Sequence, residues 1–182
     1  MAKTRVFYDT EFLEDGKSIE LISIGMVRES DGKELYLVNR DMPVKRIRKH
    51  PWLNKHVWPS LPRVPDEVRM TLGDRLNYAH PAVQPRAEIA ARVRRFITDT
   101  PDPQLWAWYG AYDHVALAWL FGPMSDLPNG IPMWTNDIRQ EAERLGNPQL
   151  PEQPRGEHNA LEDARHNMVR ARFLDQYAQR TT

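Results

Sequence analysis

The sequence predicts a mixed α/β fold, on three observations. β-Branched and aromatic residues crowd the first third, with a hairpin turn signal at Ser30-Asp31-Gly32-Lys33 between two of the runs. Amphipathic helical patterns follow from Pro85 onward, interrupted by a short apolar strand. The hydrophobic share is 41% with six Trp, enough apolar matter to close a core rather than leave the chain disordered. At 182 residues a single domain over residues 1–182 is expected, since no repeat or linker divides the chain.

Arg5 to Phe12, RVFYDTEF, reads as the first strand, because Val6, Phe7 and Tyr8 favour extended backbone. Strand side chains alternate with a period of two, so Asp9 and Glu11 project to one side. Two carboxylates that close repel each other unless a cation lies between them, and hard oxygen ligands suit Mg²⁺ or Mn²⁺. A turn at Asp15-Gly16 leads to a second strand, Ile19 to Val27, and Glu34 to Val38 makes a third, completing an antiparallel meander.

Residues 42–85 break this pattern. They are proline-rich and exclude long regular elements. A basic cluster, Val44 to His50, precedes Trp52, His56 and Trp58. The segment reads either as an irregular flap whose tryptophans pack on the core, or as cations for phosphates and rings for bases. Pro85 to Thr98 is an amphipathic helix with Pro near its first turn. Leu105 to Tyr109 is the fourth strand, and Tyr112 to Phe121 is a helix ended by Gly122-Pro123. Thr135 or Asn136 caps a further helix through Leu145, a proline-rich loop spans 148–156, and a long helix closes the chain.

Charge and composition exclude several classes. Twenty-five basic and 25 acidic residues balance, which argues against a protein that coats long nucleic acid but not against one that grips a chain end. Without cysteine there is no disulfide, thiolate zinc site or cysteine nucleophile. The longest apolar run, Val115 to Phe121, is far short of the roughly 20 residues of a membrane span. A soluble, cytoplasmic protein with no membrane association is expected.

The remaining carboxylates and one histidine carry the chemistry. Asp113 falls where the fourth strand gives way to a helix, as a dipole partner or as a third acid of a metal cluster. In His158-Asn-Ala-Leu-Glu-Asp163, Asn159 and Glu162 have the spacing of a capping box, so the final helix starts there. His158 and Asp163 then occupy the two positions that meet across a helix start. An imidazole whose reference pKa is near 6.5 is suited to deprotonating water at neutral pH. The other histidines, His50, His56, His80, His114 and His166, read as structural or solvated.

Asp9 with Glu11, Asp113, and His158 with Asp163 at an H-x4-D spacing resemble, in this order, the three motifs of the DEDDh group of 3′–5′ exonucleases. FYDTEFLEDG followed by IELISIG is similar to the start of the polyadenylate-preferring 3′-exoribonucleases of mycobacterial type. The resemblance implies a ribonuclease H-like mixed sheet with flanking helices. It also implies two Mg²⁺ or Mn²⁺ ions held by Asp9, Glu11, Asp113 and Asp163, with His158 as general base. The implied reaction is metal-dependent release of nucleoside 5′-monophosphates from an RNA 3′ end by a homodimer, for which exposed tryptophans of 42–66 are plausible material. Phe12 and Tyr109 or Tyr112 are the expected contacts of the terminal base. Tyr109 and Phe12 stand where many relatives carry Asn and Thr. A DNA 3′–5′ exonuclease, an oligoribonuclease and a non-catalytic nucleic-acid binder are the competing readings.

Overall fold

The computed structural model describes residues 3–181, without the side chains of residues 69, 70, 72 and 181. The predicted meander forms as β1 (Thr4–Glu14), β2 (Ile19–Arg28) and β3 (Glu34–Asn39), each a few residues longer than its apolar core. Residues 44–72 coil into short helices, α1 (Val44–Lys49), α2 (Pro51–His56) and α3 (Asp66–Leu72). The prolines thus limit the length of helices there without preventing them. Pro51 starts α2 at a position where no amide donor is needed. After β4 (Val83–Gln84), α4 (Arg86–Thr98) and β5 (Pro103–Ala107) come α5 (Ala111–Ala118), β6 (Thr135–Asp137), α6 (Ile138–Arg144) and α7 (Ala160–Thr181).

The six strands form one sheet in the order β4-β3-β2-β1-β5-β6. β1 pairs antiparallel with β2 and parallel with β5, so it lies inside the sheet, where both its faces are covered. The alternation along β1 divides the core. Val6 and Tyr8 pack with Val93 and Ile97 of α4 and Leu117 of α5. Phe7 packs on the opposite side with Ile138 of α6 and Ala171 and Leu174 of α7. Asp9 and Glu11 continue the Phe7 side, beneath the start of α7.

β4 and β6 escape sequence reading. β4 is two residues long, and β6 is the polar triplet Thr135-Asn136-Asp137 without apolar alternation. Thr135 and Asn136 are therefore strand residues, and the helix cap is Asp137, whose carboxylate accepts from the Arg139 amide at 2.8 Å. The fourth strand ends at Ala107 rather than Tyr109, because Tyr109 turns into the left-handed region with φ +54°.

Gly25 sets how close α7 comes to the sheet. It lies opposite Asp9 in the β1–β2 ladder, and a Cβ there would meet backbone atoms of Ala160 and Leu161 at 2.3 Å. No side chain can move to relieve that contact. Gly25→Ala is expected to destabilise by about 1–3 kcal/mol through overpacking. For a chain of this size that lowers Tm by about 2–12 °C, read by thermal unfolding; an unchanged Tm would mean that α7 is not seated on β2.

Candidate active site

β1, the residues before α7 and the first turn of α7 converge at one point. Glu11, His158 and Asp163 each offer a ligand atom, and these atoms all lie within 4.8 Å of one another. The helix start is built as the sequence expects: Asn159 Oδ1 accepts the amides of Leu161 at 3.1 Å and Glu162 at 3.2 Å. The reciprocal half of the capping box is not made. Glu162 pairs with Arg165 instead, and the Asn159 amide donates to the Gly156 carbonyl.

The expected meeting of His158 and Asp163 occurs, with a different bond from a ring-to-carboxylate pair. The His158 amide donates to Asp163 Oδ2 at 2.9 Å, and Gln153 Nε2 donates to Oδ1 at 2.6 Å. Asp163 is thus fixed by the loop before α7, and the His158 ring is left unbonded by it. Asp9 lines a cavity together with His158, Asp163, Trp108 and Arg170.

Asp113, like Asp9, is not one of the Glu11–His158–Asp163 trio. It is buried in the first turn of α5 and accepts from Thr10, through the amide at 2.8 Å and the hydroxyl at 2.6 Å. Thr10 thus ties Asp113 to β1 at the residue between Asp9 and Glu11, and Asp113 is the first charge felt by Asp9.

The electrostatics link all four acids. Burial, then the charges of Asp113, Glu11 and Asp163, hold the Asp9 carboxyl well above the usual range. Glu11 is pushed up to about 8 by burial and by Asp163 and Asp113. Burial lifts Asp113 to about 6 against the pull of the Thr10 donors. Burial also raises Asp163, opposed by its bonds from Gln153 and His158. Glu11, His158 and Asp163 could hold a metal ion between them, with Asp9 lining the same cavity as His158 and Asp163, and carboxylate oxygens are the ligands that hard divalent cations take.

The sequence reading missed four groups here. Thr10 and Gln153 orient acids, and neither has a spacing that reveals it. Arg170 lies seven residues beyond Asp163 on the same face of α7, a signal that was available. Its guanidinium lies 4.6 Å from the Trp108 ring and donates to Asn167 Oδ1 at 3.3 Å, with no carboxylate paired to it among the described residues. His56 is the fourth. Its ring centroid lies 5.3 Å from that of His158, a contact its place in the sequence does not reveal.

Of the expected base contacts, Phe12 and Tyr112 stack in parallel, centroids 5.9 Å apart at 7°. Tyr109 is not with them; its ring lies edge-on to Trp108 and its amide donates to Asp137. The exposed tryptophan pair expected in 42–66 is also corrected. Trp58 is buried at 1% exposure, held by its Nε1 bond to Asp74, and only Trp52 remains open to solvent.

The model of the 3′-5′ exoribonuclease Rv2179c-like domain matches residues 4–174, a span that holds every one of these side chains. The chain belongs to that family. Two Mycobacterium tuberculosis members, 3′-5′ exoribonuclease Rv2179c of strain H37Rv and 3′-5′ exoribonuclease MT2234.1 of strain CDC 1551, are each 42% identical to it over 172 residues, 93% of this chain and 92% of theirs. Among solved structures, the Mg²⁺- and Mn²⁺-bound form of S. pombe Pop2p is similar at a TM-score of 0.50 and 12% identity, covering 94% of this chain and 81% of that one. That likeness concerns the fold, the ribonuclease H-like mixed sheet with flanking helices that the Rv2179c-like chain was expected to adopt. No helix among the described residues is long and apolar enough to cross a membrane.

Proposed function

We propose that this chain is a divalent-metal-dependent 3′–5′ exoribonuclease that releases nucleoside 5′-monophosphates, with Asp9, Glu11, Asp113, His158 and Asp163 as its catalytic residues. The observation that carries the reading is the approach of Glu11, His158 and Asp163 ligand atoms to within 4.8 Å, with Asp9 in the same cavity.

Asp9, Glu11, Asp113 and Asp163 would hold two Mg²⁺ or Mn²⁺ ions, which when bound supply Lewis acidity toward the attacking water and neutralise the phosphoryl group. His158 accepts the proton of that water through its imidazole as the water oxygen attacks phosphorus. The P–O3′ bond breaks, O3′ takes a proton from solvent water, the terminal nucleotide leaves as a 5′-monophosphate, and the shortened strand keeps a 3′-hydroxyl. Arg170 faces the same cavity with guanidinium N–H groups not engaged by carboxylate, suited to the oxygens of a phosphate. The Phe12–Tyr112 pair, with Tyr112 at 55% exposure, offers an aromatic face to the terminal base; Tyr109, at 61% exposure, offers a second one further out.

A net charge of zero suits a protein that grips one end of a strand rather than its length. Preference for adenylate, a cytoplasmic setting and a homodimer complete the proposal, the last checked by sedimentation velocity. The decisive assay uses RNA and DNA oligomers labelled at the 5′ end, with Mg²⁺ or with excess EDTA. The expected result is a ladder shortening one nucleotide at a time on RNA, weaker on DNA, and no cleavage in EDTA. Internal cuts, full activity in EDTA, or DNA degraded in preference to RNA would each overturn the reading.

A further inference from the structure

Residues 42–66, left open by the sequence between core packing and RNA contact, bring two rings against His158. The Trp52 ring lies edge-on to it, centroids 4.8 Å apart at 75°, and the His56 ring at 5.3 Å and 74°. Trp52 and His56 are four residues apart on α2, hence on one face of it, and their own rings touch at 5.2 Å. Behind them α2 is anchored: Leu53 is buried with Val57 and Trp58, and His50 Nδ1 accepts the Leu53 amide at 3.3 Å.

The backbone of His158 is held by the same segment. Its φ is +65°, in the left-handed region that a residue with a Cβ avoids. Ser60 Oγ shares its one proton between the His158 carbonyl at 2.6 Å and the Val57 carbonyl at 2.8 Å, and Asn159 Nδ2 donates back to the Ser60 carbonyl at 3.2 Å. The polypeptide from His50 to Ser60 therefore grips both the ring and the main chain of one residue. Trp52 is 46% exposed, so its packing on the imidazole is not explained by burial in the core.

We propose that Trp52, His56 and Ser60 are positioning residues, and that this segment is a cradle that fixes the orientation of His158 for proton transfer. The proposal rests on the reading of His158 as the general base. Trp52 acts through His158, not on RNA: removing it frees the imidazole to rotate, while the acids and the substrate contacts stay in place.

A double-mutant cycle on the full chain tests this, with kcat and KM measured separately on an RNA oligomer. Trp52→Ala is expected to lower kcat by about 10–100-fold, as a misplaced catalytic group does, with KM little changed. Trp52→Phe, which keeps an aromatic ring in place, should restore most of the rate. Ser60→Ala should lower kcat in the same sense. The double variant Trp52→Ala/His158→Ala should be no slower than His158→Ala alone, and Trp52→Ala should melt within a few degrees of the wild type. Multiplying defects, or an effect confined to KM, would make Trp52 an RNA contact and overturn the proposal. A Trp52→Ala rate equal to wild type beside a slow His158→Ala would end the cradle alone. A His158→Ala rate equal to wild type would end the base reading and the cradle with it.

Discussion

His158→Ala is expected to lower kcat by about 10²–10⁴-fold, the range that one general acid–base group contributes. RNA affinity should stay close to wild type, because the Phe12–Tyr112 pair and Arg170 are untouched. The distance of the His158 ring nitrogen from the Glu11 and Asp163 oxygens also permits a metal-ligand role, so the variant must be read twice. Single-turnover cleavage gives the chemical step, and calorimetric titration with Mn²⁺ gives the metal affinity. A slow step with retained Mn²⁺ binding identifies a base. A loss of Mn²⁺ binding as large as that of Asp163→Asn would make His158 a ligand, and an unimpaired rate would remove it from the chemistry. His158→Asn, closer in size and polar, should show the same kinetic defect.

Metal-free protein is expected to lose stability as pH rises from about 5 to 8, and divalent cation to restore it. Glu11 titrates at about 8 and Asp113 at about 6 in the folded chain, against ordinary values of 4.5 and 3.8. Asp9 and Asp163 are displaced in the same direction. A folded state that raises an acid's pKa binds more protons than the unfolded chain. The stability this contributes is complete below the ordinary values and is lost as pH climbs through the folded ones. Carboxylates lowered by arginine partners, such as Asp31 beside Arg28, are ionised throughout that window and do not obscure it. A ligand at a hundred times its Kd adds about 2.7 kcal/mol, or about 5–10 °C in Tm for a chain of this length. Mn²⁺ should therefore raise Tm strongly at pH 8 and little at pH 5, where protons already occupy the carboxylates. Asp9→Asn should flatten the pH dependence. A Tm that neither falls with pH nor responds to Mn²⁺ would contradict the clustering of these acids.

The parts of the fold legible in sequence are those whose periodicity is their cause. The meander reads from β-branched runs and turn residues, and α4 and α7 from their apolar stripes with a proline or asparagine at the start. The site follows wherever local geometry fixes direction: alternation sets Asp9 and Glu11 on one side, and the Asn159 cap sets His158 beside Asp163. What stayed hidden depends on contacts between distant segments. β6 is a strand because Asn136 and its neighbours pair with β5, not because Thr-Asn-Asp prefers to be one. Thr10 becomes a partner of Asp113 only after α5 is placed, and Gln153 a partner of Asp163 only after the proline-rich loop folds over α7. The sequence places the flap but not its contact with His158, since nothing in Trp52, His56 or Ser60 points to a residue as far along the chain as the 98 positions that separate Ser60 from it. Gly25 could have been suspected, as a glycine inside a strand often marks a close approach of another backbone.

The most direct measurement is a Mn²⁺ titration followed by electron paramagnetic resonance, on the wild type and on Asp9→Asn, Glu11→Gln and Asp163→Asn, with RNA cleavage recorded in the same samples. If these side chains form one metal centre, the wild type binds Mn²⁺ with cleavage rising as the sites fill, and each variant loses binding and cleavage together. Equal Mn²⁺ binding by wild type and variants, or cleavage that proceeds before any ion is bound, would contradict it.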